Sequence, residues 1–138
     1  MSANLDPIFT NIPILGFTRC SSNNVAADGT GTINTIVTGS TNGTKVDIIT
    51  FSSSQAVRTT ANSAMVGRMF VSDASLNFKL YNEVLIPTTG VSDSSLGARA
   101  QIYTGGLVIT NGTQIGVTIS KYAGVQDQID VIAQGGNY

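Results

Sequence analysis

MVGRMFVSDASLNFKLYNEVLIP, residues 65–87, carries the clearest structural signal in the chain. Two apolar-rich runs, Met65 to Val71 and Leu76 to Ile86, flank Asp73-Ala74-Ser75, the arrangement expected of a β-hairpin. In the second run Leu76, Phe78 and Leu80 fall on one face and Asn77, Lys79 and Tyr81 on the other, because successive strand side chains point to opposite sides. Pro87 has no N–H to donate and ends the strand. A helix would instead need an apolar stripe at a period of about 3.6 over roughly 11 or more positions, and the period here stays near two.

The same reading extends in both directions. Toward the amino terminus, KVDIITFSS (45–53) reads as a strand with Val46 and Ile48 on one face and Ile49 and Phe51 on the other. It follows Asn42-Gly43, a pair favoured in tight hairpins, and a strand from Thr32 to Thr38. SSNNVAADGTG is a loop, and ILGFTRC pairs weakly with a sheet. Toward the carboxyl end, Gly105-Gly106 marks a bulge or close crossing. Asn111-Gly112 then leads into QIGVTIS, with Ile115, Val117 and Ile119 on one face, and QIDVIA places Ile129 and Val131 inside with Asp130 outside. The repeated TNGT suggests two similar hairpins.

About eight short strands without a long helix define an all-β fold, a two-sheet antiparallel sandwich of jelly-roll type. A closed barrel or an immunoglobulin-like strand order is the alternative. Residues 1–16, interrupted by Pro7 and Pro13, read as an arm or edge segment, and residues 17–138 as one β-sandwich domain.

Composition narrows the function. With 138 residues, 41% of them hydrophobic, the chain can bury one sizeable core without disulfide or metal support. Charged residues make up 11%, against about 25% in an average domain. The net charge of -1 comes without runs. No basic stripe is available to neutralise phosphates, so nucleic acid is not an expected partner. No basic amphipathic helix or long apolar run points to a membrane. The start, MSANLDPIFTNIPILGF, lacks the basic and apolar regions of a secretory leader, so synthesis in the cytoplasm is expected. The N-x-T sequences at Asn42 and Asn111 read as turns. A surface rich in Ser, Thr, Asn and Gly loses its water against a partner at modest cost. That favours a protein whose product is a contact.

The search for chemistry supports the same expectation. The sequence has no histidine, and so lacks the commonest general base near neutrality and the commonest transition-metal ligand. Cys20 alone makes neither an intrachain disulfide nor a thiolate zinc site. Glu83 and Asp47 would form a glycosidase-like carboxylate pair if their strands were neighbours; otherwise they are solvent-facing or paired with cations such as Arg68 or Arg99. Asp127 and Asp130 bracket the last strand. DGTGT (28–32) supplies too few oxygens for a calcium loop and reads as a turn. No catalytic, cofactor-binding or metal-binding residue is expected. The candidates for an interface are Ile8, Phe9, Ile12 and Ile14 in the arm, Phe17 beside it, and Tyr138 at the end; Tyr122 is expected to fold back on its own domain.

Taken in order, TNGTKVDIITF (41–51), MVGRMFVSDASLNFKLYNEVLIP (65–87), GGLVITNGTQIGVTIS (105–120) and DVIAQGGNY (130–138) resemble a group of small bacteriophage virion proteins. The resemblance spans roughly residues 41 to 138 and rests on the N-G-T turn and strand, the GRxFV strand, the aromatic-bearing return strand and the final VIAxGGxY. It implies a structural protein of the virion: a head decoration, cement or vertex-associated protein, or else a tail or baseplate component. It also implies a homo-oligomer, a trimer before a pentamer, bound to other virion proteins such as the major capsid protein. No catalytic residue is carried over. The competing class is a carbohydrate-binding jelly-roll module, which needs arrayed aromatic rings; here the aromatics are dispersed and tryptophan is absent.

Overall fold

The computed structural model describes residues 9–56, 59–90, 94 and 96–138. Among these, the strands are β1 (Ile12–Cys20), β2 (Asn34–Thr38), β3 (Thr44–Ser53), β4 (Met65–Ser72), β5 (Phe78–Ile86), β6 (Arg99–Ile109), β7 (Gln114–Ile119) and β8 (Ile129–Asn137). They form two four-stranded sheets, ordered β1-β8-β3-β6 and β2-β7-β4-β5. Every strand pairing is antiparallel. Among the described strands the chain changes sheet at each connection except β4 to β5, so residues 65–87 form the one hairpin between consecutive described strands. This alternation is the jelly-roll path. Two separate sheets exclude a closed barrel.

The two TNGT segments are therefore not hairpins. A two-residue type I′ turn needs positive φ at both central positions, whereas Gly43 and Gly112 have it and Asn42 and Asn111 do not. Gly43 N donates to Ser40 O at 3.0 Å and Thr113 N to Thr110 O at 3.2 Å, and each turn hands the chain to the opposite sheet. The turns also meet, through Gly39 N to Thr113 O at 2.9 Å.

In β3, the register breaks between Val46 and Ile48 against both neighbours. The extra residue, Asp47, reverses the alternation. Val46, Ile49 and Phe51 thus all point inward, fully buried, and Ile48 points outward; the expected pairing of Val46 with Ile48 on one face does not hold. Facing this break in β6, Gly105 and Gly106 have positive φ, as expected of a bulge. Strand β5 begins at Phe78 rather than Leu76, which sits in the turn at φ 61. Asp73 holds that turn by accepting from the N–H groups of Ser75 and Asn77, both at 2.9 Å.

The amino-terminal strand is longer and firmer than the sequence suggests. β1 pairs with β8 without interruption from Ile12 and Asn137 to Cys20 and Ile129. An arm boundary at Gly16 falls inside it. Ile14 packs against the core. A Cβ on Gly16 would stand 2.2 Å from the Ile36 carbonyl oxygen, so only glycine lets β1 and β2 close this corner.

Between the sheets, Phe51, Ile49, Met69, Ile86, Ile115, Val117, Ile119, Ile129 and Val131 are fully buried. Each such side chain contributes on the order of 1.5–3 kcal/mol by leaving water. A second apolar cluster lies on the outer side of the other sheet. Phe70 pairs with Gly116 on that outer side and is nevertheless fully buried. The β1–β2 loop covers this region, for a Cβ on Gly116 would meet Ile33 at 2.3 Å and Phe78 at 3.1 Å.

Candidate interaction surface

With the second sheet partly roofed by the β1–β2 loop, the outer side of β1-β8-β3-β6 is the face that the described residues leave open along Leu15, Phe17 and Tyr103. The register sets its side chains in rows across the strands. Arg19, Asp130, Ser52 and Arg99 form one row, and Phe17, Ile132, Thr50 and Gln101 the next. Leu15, Gln134, Ile48 and Tyr103 form a third. Exposure reaches 75% at Phe17, 64% at Leu15 and 71% at Tyr103. These are large values for apolar and aromatic groups on regular strands.

Charge is confined to the ends of the face and, apart from exposed Arg99, is paired there. Arg19 makes a two-pronged pair with Asp130, at 2.7 and 3.1 Å. This contact draws the Asp130 carboxyl below its ordinary pKa, mainly through the hydrogen bond from Arg19, and raises that of Arg19. At the far end Lys45 Nζ lies 3.3 Å from Asp47. The polar groups between are uncharged and partly engaged: Gln101 Nε2 donates to Thr50 Oγ1 at 3.1 Å, and Tyr103 OH to Gln101 Oε1 at 2.9 Å. An open groove of about 420 Å³ runs beside Phe17, Thr18, Arg19, Asp130 and Ile132.

The expected interface residues divide. Phe9, Ile12 and Phe17 are exposed, and Phe17 belongs to the face just described. Ile14 is turned inward. Tyr138 folds back onto its own domain, its N–H donating to Gly43 O at 3.1 Å and its ring lying beside Gly43. Ile8 lies outside the described residues. Leu15, Tyr103 and Ile132 were missed. The signal for them was the alternation of each strand, but both faces of β1 are apolar and the alternation alone does not say which is inside.

The candidate carboxylates do not converge. Glu83 lies on β5, in the other sheet, and accepts from Arg68 Nε at 2.7 Å, the paired arrangement anticipated for it. Asp47 is on the opposite side of the sandwich. No shared cleft joins them. Asp28 Oδ1 accepts from Thr30 N at 3.0 Å and Thr30 Oγ1 at 2.6 Å, as a turn-forming aspartate does. Asp127 is buried and clips two loops together, accepting from Ser63 N at 2.6 Å and Ala123 N at 2.7 Å. Among the described residues, no three His, Cys, Asp or Glu side chains gather as a metal site. Burial pushes the Cys20 thiol up to about 12, which makes it a poor nucleophile. Tyr122 packs against the core.

Compared with known proteins, the chain matches no family model, no curated protein and no solved structure.

Proposed function

We propose that this chain is a structural protein of a bacteriophage particle, a decoration or cement subunit of the head that acts through the surface it presents to its neighbours. The observation that carries the reading is the uncovered face of β1-β8-β3-β6, where Leu15, Phe17, Ile132 and Tyr103 stand out of a field with no net charge at its centre. Such a face loses water readily and gains apolar burial when a second flat surface meets it. The jelly roll suits the role, since viral shell domains use it, as do lectins and cupins. The sequence resemblance to phage virion proteins supports the same choice. A subunit of this kind stabilises a shell by mass action: it binds the assembled lattice better than free shell subunits and shifts the equilibrium toward assembly. The major capsid protein is the proposed partner, and the virion the proposed location.

A carbohydrate-binding reading has one observation in its favour, the groove in which Phe17 lies beside the Arg19–Asp130 pair. The other exposed ring of the face, Tyr103, is on β6, three strand spacings away or roughly 14 Å. That is a sparse platform for a sugar.

Co-sedimentation with capsids of the encoding phage tests the choice. The wild-type chain is expected to bind at a fixed stoichiometry, and the double variant Phe17→Asp, Tyr103→Asp to bind at least about 10-fold more weakly with an unchanged fold. Wild-type protein that ignores capsids but binds millimolar sugar would reverse the assignment.

A further inference from the structure

Sheet edges are points of risk in a β-protein, because their unpaired N–H and C=O groups accept strands from other molecules. Three of the four edges here carry the usual defences. β2 is five residues long with a register break between Thr35 and Val37. β5 carries Lys79 and Glu83 and a break opposite Met69 and Phe70. β6 is broken at Gly105 and Gly106. β1 differs. It has nine residues, pairs with β8 without a break, and bears exposed Leu15 and Phe17.

Among the described residues, the hydrogen-bond pattern shows which groups β1 leaves open. Tyr138 N donates to Gly43 O, and Ser54 N donates to Gln128 O. The even-numbered residues of β8 therefore bond to β3, and its odd-numbered residues to β1. By register these odd residues meet Ile12, Ile14, Gly16, Thr18 and Cys20. Pro13, Leu15, Phe17 and Arg19 consequently aim their backbone groups away from β8. Pro13, with no N–H, occupies a position where the β8 ladder needs none.

We propose that β1 is a joint between two copies of this chain, which pair antiparallel about a twofold axis at Gly16 and merge their β1-β8-β3-β6 sheets into one. In this register Leu15 faces Phe17 of the other copy and exchanges both backbone hydrogen bonds with it. Arg19 N–H donates to the Pro13 carbonyl, so the missing proline donors cost only the terminal bond at each end. Phe17 and Leu15 of each copy form one apolar cluster flanked by both Ile132 side chains. The two Arg19 side chains lie at opposite ends, each already neutralised by Asp130. A second copy fits this edge better than an unrelated strand because the free groups are self-complementary about Gly16. Pairing also uses up the edge, so the assembly closes instead of growing into a fibre. A joint made along one strand is smaller than the roughly 1,200–2,000 Å² of stable specific contacts, so association should be weak and concentration-dependent. The joint is twofold, unlike the trimer that the resemblance implies.

Sedimentation equilibrium combined with amide hydrogen exchange tests the joint without any virus particle, so its outcome is separate from that of the proposed function. The wild-type chain is expected to reach dimer mass as its concentration rises. The double variant Leu15→Lys, Phe17→Lys should dissociate at least about 100-fold more readily with the same thermal midpoint, since both side chains are exposed. Tyr103→Lys, across the sheet on β6, should associate like wild type. In the dimer the amides of Leu15, Phe17 and Arg19 should slow their exchange, while those of Ile14 and Thr18, already bonded to β8, should not change. A chain that stays monomeric at millimolar concentration would overturn the proposal, as would association that survives the double variant or leaves the three amides unprotected.

Discussion

Gly67 and Phe51 show how closely the two sheets meet. A Cβ on Gly67 would approach three ring carbons of Phe51 at 2.8 to 3.0 Å, and the ring is fully buried with neighbours on every side. The glycine is there for space, and the sequence gives no sign of it beyond a small residue in an apolar strand. Gly67→Ala should destabilise the protein by about 1–3 kcal/mol through overpacking, measured by urea unfolding. A loss below about 0.5 kcal/mol would mean that the ring moves aside freely. Asp47 teaches a related lesson: one residue inserted into β3 moved Ile48 outward and Ile49 inward, and alternation read along the sequence could not detect it.

At the scale of elements, β1 and β8 are held together partly by Arg19 and Asp130. Because the folded Asp130 carboxyl has a pKa below the value of about 3.9 for an unfolded chain, its contribution is present above that pH and is lost as pH falls through the folded value. Asp73 shifts the same way, chiefly through the backbone hydrogen bond from Asn77. The thermal midpoint should therefore drop below about pH 4, and Arg19→Gln should lessen that drop. An equal drop in wild type and variant would assign the acid sensitivity to other groups. Elements were the most legible level of the sequence. The 65–87 hairpin, the Gly105-Gly106 bulge and the inward faces of β7 and β8 follow from period, turn residues and Pro87. The TNGT turns were misread because turn chemistry gives a local bend and does not say whether the next strand pairs back or crosses to another sheet.

For the molecule as a whole, strand number and architecture follow from the sequence, whereas the open face does not. Leu15, Ile132 and Tyr103 come together only through the order β1-β8-β3-β6, which joins residues distant in sequence. Phe17 and the wider amino-terminal segment could be suspected because they form an apolar stretch interrupted by proline, although Ile14 turns inward in the same strand. What distinguishes the two sides of the sandwich is cover: the β1–β2 loop shields Phe70, and nothing described shields Phe17. The most direct measurement is an electron cryo-microscopy map of phage capsids incubated with the protein. Density for the jelly roll should sit on the shell at lattice positions, with Phe17 and Tyr103 buried against a neighbour; bare capsids, or bound subunits with that face turned to solvent, would contradict the proposed role.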